Sequence, residues 1–126
     1  GALDAQSDRN VSVRRRNYRL LAEAFATFPE ARMPFPALDP GTCPYLFPVL
    51  VAGRGRIISA LRSRGVPAGI WPTLPPMVAA DDSFGVARTM ANQLMTLPVH
   101  QDLTTKDIAR IVSAYASVRS AAAAVG

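Results

Sequence analysis

Any chemistry in this chain has to come from very few side chains. It has one lysine, Lys106, one histidine, His100, and one cysteine, Cys43. A lysine captures an aldehyde as an imine only when its amine is activated by burial or a cationic neighbour. Lys106 follows Thr104 and Thr105 at the start of an apolar-periodic run, one turn into an expected helix, so its ammonium is expected in water. His100 as a general base needs an oriented partner within hydrogen-bond reach. Its nearest candidates, Asp102 and Asp107, are sequence neighbours in a capping turn, so the expectation is a histidine that stabilises that turn. Serine, histidine and aspartate are all present, yet no Gly-x-Ser-x-Gly elbow frames a hydrolytic nucleophile. Cys43, in a Gly-Thr-Cys-Pro turn, has no second cysteine to pair with and reads as a packed thiol. A zinc site needs four ligands where the chain offers one Cys, one His and scattered carboxylates, so no metal is expected. Gly53-Arg54-Gly55 has the wrong spacing for a phosphate loop and reads as a turn.

The formal charge is +5, from 14 basic and 9 acidic residues. Five arginines fall between Arg9 and Arg19, with Arg14, Arg15 and Arg16 consecutive, and such a run can neutralise phosphates. Consecutive residues on a helix point about 100° apart, however, and no aromatic or Gly-rich element interleaves with these arginines to thread a nucleic acid. A solvated or subunit-contacting helix face is the better reading.

These residues need a scaffold, and 126 residues leave room for one domain that buries roughly two-thirds of its extended-chain surface. The longest uninterrupted apolar run is too short to span a bilayer, and no secretory leader pattern precedes the domain, so a soluble cytoplasmic protein is expected. Residues 1–10 are small and polar and are expected to be a flexible N-terminal segment, leaving residues 11–126 as one small domain. From about Val11 to Phe28, Tyr18, Leu21, Phe25 and Phe28 recur at helical spacing. Pro29 ends that helix, and Pro34, Pro36, Pro40 and Pro44 keep the following connector extended or turned. Tyr45 to Val51 reads as a strand, with Pro48 placing it at a sheet edge or a bulge. Ile57, Ile58 and Leu61 mark a short helix closed by Gly65, and "VPAGIWP" a second short strand ending at Trp71. The proline-rich stretch from Pro72 to Asp82 reads as a loop. Ser83 is a candidate cap for a helix through Leu94. Pro98 makes Met95 to Val99 extended. Thr104 with Asp107 caps a last helix with a stripe of Ile108, Ile111, Val112, Tyr115 and Val118. The fold class expected is α/β, a two-layer sandwich with a small sheet of two to four short strands covered by about four helices.

The words at the joints of this order carry a resemblance. "RRRNYRLLAEAF" (14–25), "YLFPVLV" (45–51), "IISALRSRGV" (57–66) and "ANQLMTLPVHQDLTTKDIARIVSAY" (91–115) together resemble the C-terminal small domain of the DegT/StrS family. That family comprises pyridoxal-phosphate (PLP) enzymes of the type I fold, mostly sugar aminotransferases. The last stretch is the most specific, because family members run a helix into Leu-Pro, a His-containing turn and a capped helix. The resemblance covers roughly residues 11–119.

Several expectations follow from it. The Schiff-base lysine and the acid that holds the pyridine nitrogen sit in the family's large domain, so this chain is expected to have no catalytic residue and no cofactor, with PLP implied for the full-length parent. The parent is expected to be a cytoplasmic, dimeric transferase in which this domain closes the active-site cleft beside a large domain. The stretch after the second strand, where many members carry an aromatic and a histidine reaching toward the sugar, reads Ile70-Trp71-Pro72-Thr73 here, without the histidine. Trp71 can stack on a sugar or plug an interface, and Thr73 can hydrogen-bond a ligand; with His100 they are the candidate substrate-binding residues. A different class of reading is a free-standing α/β interaction module, a homodimer using the stripes of its first and last helices. A third is an Arg-rich nucleic-acid binder.

Overall fold

The computed structural model describes residues 2–70 and 92–125. The first helix, α1, spans Ala2–Phe25. It begins ahead of the Val11 start that its apolar stripe marks. Strand β1 is Leu46–Leu50, helix α2 is Arg54–Ser63, strand β2 is Gly69–Ile70, strand β3 is Leu94–Pro98, and helix α3 is Thr105–Val125. The expected helix from Ser83 lies mostly outside the described residues. Its expected last residue, Leu94, is instead the first residue of β3.

The sheet order is β1-β3-β2, with β3 antiparallel to both neighbours. β1 and β2 therefore run the same way with β3 inserted between them, so the β1-α2-β2 crossover is split. β1 lies at the edge, as Pro48 requires, since its missing N–H removes nothing from the ladder there. Among the described residues, Arg32 alone bridges the outer side of this strand, at Leu50. β3 reads in sequence as a short extended piece, but as the middle strand it has every residue buried. Gly69 lies beside Thr96, where an added Cβ would stand 3.3 Å from the threonine Oγ1, a tight contact that the hydroxyl would have to yield to slightly.

Phe47 and Val49 of β1 pair with Leu97 and Met95 of β3 and share one sheet face. Against that face pack Tyr18, Leu21 and Phe25 of α1, Ile57, Ile58 and Leu61 of α2, and Ile108, Ile111, Tyr115 and Val118 of α3. The result is an α/β two-layer arrangement of three strands and three helices among the described residues. Most of the stripes of α1 and α3 face this core, with Leu20, Phe28 and Val112 partly buried against it.

Local signals close the helices. After α2, Gly65 takes φ +83°, its N–H bonds the Arg62 carbonyl, and the Val66 N–H bonds the Leu61 carbonyl. This pair of bonds satisfies the last carbonyls of the helix, and the left-handed position favours glycine. At the start of α3 the Asp107 N–H donates to Thr104 Oγ1 at 3.2 Å, while the Thr104 N–H donates to Asp107 Oδ2 at 2.9 Å. That reciprocal box has aspartate in the place usually held by Glu or Gln, and a Thr cap of this kind contributes about 1 kcal/mol.

Aromatic contacts tie the helices to one another and to the sheet, including Phe25 to Tyr115 at 4.6 Å and Tyr18 to Phe47 at 5.0 Å. At the rim of this cluster the Tyr115 hydroxyl donates to Glu30 Oε2 at 3.1 Å, and Arg119 Nε donates to Glu30 Oε1 at 2.6 Å. Partial burial raises the Glu30 carboxyl, but the hydrogen bonds from Arg119 and Tyr115 and the Arg119 charge outweigh it and hold the group below its usual range. A lowered folded pKa means that this stabilisation is fully present above the ordinary glutamate value and is lost as pH falls through the folded one. Glu30→Gln is therefore expected to lower the urea midpoint at neutral pH, with the gap to wild type closing as the same titration is repeated toward about pH 3.

Candidate functional site

The turn between β3 and α3 carries His100, and its construction explains why the chain interrupts two regular elements here. Pro98 ends β3. The Leu103 N–H then donates to the His100 carbonyl at 3.1 Å, and the Thr104 box starts α3 immediately afterwards. What holds this turn in place is Asn17, on α1, whose side chain is fully buried. Its Nδ2 lies 3.2 Å from the Val99 carbonyl, 3.2 Å from the His100 carbonyl and 3.3 Å from the Leu103 carbonyl. Its Oδ1 accepts from Arg16 Nη2 at 2.9 Å, and the same guanidinium nitrogen reaches the Leu103 carbonyl at 3.1 Å. Every buried side-chain nitrogen and oxygen among the described residues has a partner, so this polar knot is complete. Such fully satisfied networks fix one arrangement, because the low dielectric that strengthens them makes any broken member costly.

The turn is thus stabilised through the main-chain carbonyl of His100, whereas its imidazole is exposed. Asp107 is committed to the helix cap: the Thr104 backbone and side-chain hydrogen bonds hold its carboxyl low, with smaller help from the charges of Arg110 and His100. Among the described residues no acid orients the imidazole, so the geometry does not make a general base of it.

The consecutive arginines do point in different directions, and between them they meet two pieces of the fold, the connector and the His100 turn. Arg14 donates to Gln101 Oε1 at 2.8 Å and reaches the Pro44 carbonyl at 3.4 Å. Arg15 donates to the carbonyls of Asp39, at 3.0 Å, and Thr42, at 2.7 Å. Arg16 joins the Asn17 knot. The expected solvated face is therefore a set of intramolecular clamps, which tie α1 to the connector and to the His100 turn. Sequence reasoning missed Asn17, whose only local sign was a polar residue beside Tyr18 on the buried side of the helix.

Trp71 and Thr73 lie outside the described residues, just past the end of β2 at Ile70. Cys43 is half-buried and unpaired in the connector. Lys106 is exposed in the first turn of α3. An exposed lysine in a helix cap lacks the desolvation or cationic neighbour that activates an amine, so the chain's own lysine does not fit PLP. Among the described residues, no cluster of three or more His, Cys, Asp or Glu stands ready for a metal ion, and no helix is long and apolar enough to cross a membrane.

Comparison with known proteins matches this fold and these joints. The model of the DegT/DnrJ/EryC1/StrS aminotransferase family matches residues 5–116. The chain is similar to the aminotransferase TlmJ from Streptoalloteichus hindustanus, with 21% identity and a TM-score of 0.73, covering 90% of this chain and 33% of that one. It is similar to DesV from S. venezuelae, solved with a ketimine intermediate, with 24% identity, TM-score 0.71, and coverage of 87% and 32%. Spr1654 from Streptococcus pneumoniae in its PLP form gives 19% identity, TM-score 0.70, and coverage of 90% and 33%. No curated protein matches the chain. The chain spans about a third of the length of the solved structures it resembles. With the family model covering most of its residues, the chain belongs to the DegT/DnrJ/EryC1/StrS aminotransferase family.

Proposed function

We propose that this chain is the C-terminal small domain of a cytoplasmic, PLP-dependent DegT/StrS-type aminotransferase, and that it supplies no catalytic group itself. In that role it closes one side of the active-site cleft and supports a homodimer. α1 is the element that leads in from a large domain carrying the Schiff-base lysine. Trp71 and Thr73 face the substrate, and the His100 turn presents its imidazole at the same boundary. The observation that carries this reading is the exposed, cap-bound position of the chain's one lysine in a chain that belongs to an aminotransferase family. Bound to the parent, PLP supplies the electron sink for transamination. This chain's residues shape and close the cleft around it.

The test is to add PLP to the purified chain and record the imine absorption band, then repeat with the polypeptide extended by its upstream coding sequence. No stoichiometric band is expected from the chain alone, and one is expected from the extended polypeptide together with amino-donor turnover. A stoichiometric imine on the 126-residue chain, removed by Lys106→Met, would overturn the proposal.

A further inference from the structure

Two clefts adjoin along the connector between α1 and β1, sharing Tyr18, Ala37 and Leu38 as a common wall. The first encloses about 260 Å³ and is walled further by Pro44, Pro48 and the side of Asp39. Its rim carries Phe35, Tyr45 and Leu46, which are 58%, 77% and 39% exposed. These are three of the four large apolar side chains left in water among the described residues, so the patch is not scattered surface hydrophobicity. The second cleft is flanked by Arg15 and Arg19, one helical turn apart.

Among the described residues no carboxylate pairs with Arg14 or Arg15. Arg14 lies over the Tyr45 ring at 5.1 Å and donates to an amide oxygen and a main-chain carbonyl. Arg15 donates to main-chain carbonyls. Arg19 has Glu23 at 4.0 Å, a long and exposed pair. Asp39 is the carboxylate on the cleft wall. Anything that covers Tyr45 and the cleft also takes water from the guanidiniums of Arg14 and Arg15, and a desolvated cation without a counter-charge is strongly unfavourable.

From this geometry we infer that the connector face docks a protein surface that brings carboxylates to Arg14 and Arg15 and an apolar side chain into the adjoining cleft. Exposed aromatic rings beside arginine are what the centres of protein interfaces are made of. A second copy that meets this face with its own connector face fits poorly, because that face offers Asp39 alone against two guanidiniums, with Glu23 already beside Arg19. A single-stranded nucleic acid could stack on Phe35 and Tyr45, but the Asp39 carboxylate repels its phosphates and the concave apolar floor gives them nothing to bind. The inference concerns a surface, and it holds whether or not the parent binds PLP.

The experiment titrates the ¹⁵N-labelled chain with a synthetic Asp-Glu-Phe-Leu-Glu-Asp peptide, its Lys-for-acid counterpart, and a short oligothymidylate, each at low and at physiological salt. The acidic peptide alone is expected to shift the amides of Phe35, Asp39, Tyr45 and Leu46, with binding weakened by salt. Tyr45→Glu changes an exposed position, leaves the thermal midpoint in place and sets a carboxylate beside Arg14. It is expected to weaken acidic-peptide binding by about tenfold or more. Equal response to the basic peptide, tighter binding of oligothymidylate, self-association of the chain that Tyr45→Glu dissolves, or no shift at these amides in millimolar acidic peptide would each overturn the inference.

Discussion

Asn17→Leu lowers the unfolding free energy by about 3–5 kcal/mol, measured by urea denaturation followed by far-UV circular dichroism. The substitution roughly keeps the side chain's size and raises its helix propensity, so the loss comes from hydrogen bonding. Three main-chain carbonyls, those of Val99, His100 and Leu103, lose a common donor. The Arg16 guanidinium loses the amide oxygen that accepts from it. Each buried polar group left without a partner costs about 1–3 kcal/mol, which falls most fully on the Val99 carbonyl, since the His100 carbonyl keeps the Leu103 N–H and the Leu103 carbonyl keeps Arg16. Loss of the anchor also frees the turn before the sheet unfolds, so amide hydrogen exchange is expected to quicken at Leu103 and Thr104 first. If Asn17→Leu changed the midpoint by no more than a surface substitution does, the knot would not be what holds the His100 turn.

Tyr115→Ala is the second large effect, with an expected loss of about 3–5 kcal/mol. Tyr115 is fully buried and its ring meets both Phe25 and Phe28, so truncation opens a void where α1, α3 and the connector converge. Tyr115→Phe separates packing from polarity. It keeps the ring and removes only the hydroxyl bond to a half-exposed carboxylate, for an expected cost of about 1 kcal/mol. Burial, and then the neighbouring Glu30 charge, push the Tyr115 phenol well above its ordinary value, so it stays neutral throughout any practical pH scan. The pH dependence at this corner therefore belongs to Glu30. Comparable losses for Tyr115→Ala and Tyr115→Phe would assign the corner's stability to the hydrogen bond instead of the core.

The sequence alone determined the features whose cause lies within a few residues. The stripes of α1, α2 and α3 follow from apolar spacing, and the end of α2 follows from Gly65. The start of α3 follows from Thr104 and Asp107, and the extended stretch before His100 follows from Pro98. The Pro48 argument narrowed β1 to an edge or a bulge, since a missing N–H is a local fact with a topological consequence, and the sheet order set the edge. The tertiary structure decided what those elements meet. It set β3 between β1 and β2, ended the preceding helix before Leu94, and turned three arginines that read as a charged face into clamps on distant carbonyls. Asn17 and the Val99 carbonyl are 82 positions apart, and no periodicity announces that pairing. Backbone preference is encoded residue by residue, whereas a buried polar partner exists only after the core has closed and excluded the water that would otherwise satisfy it.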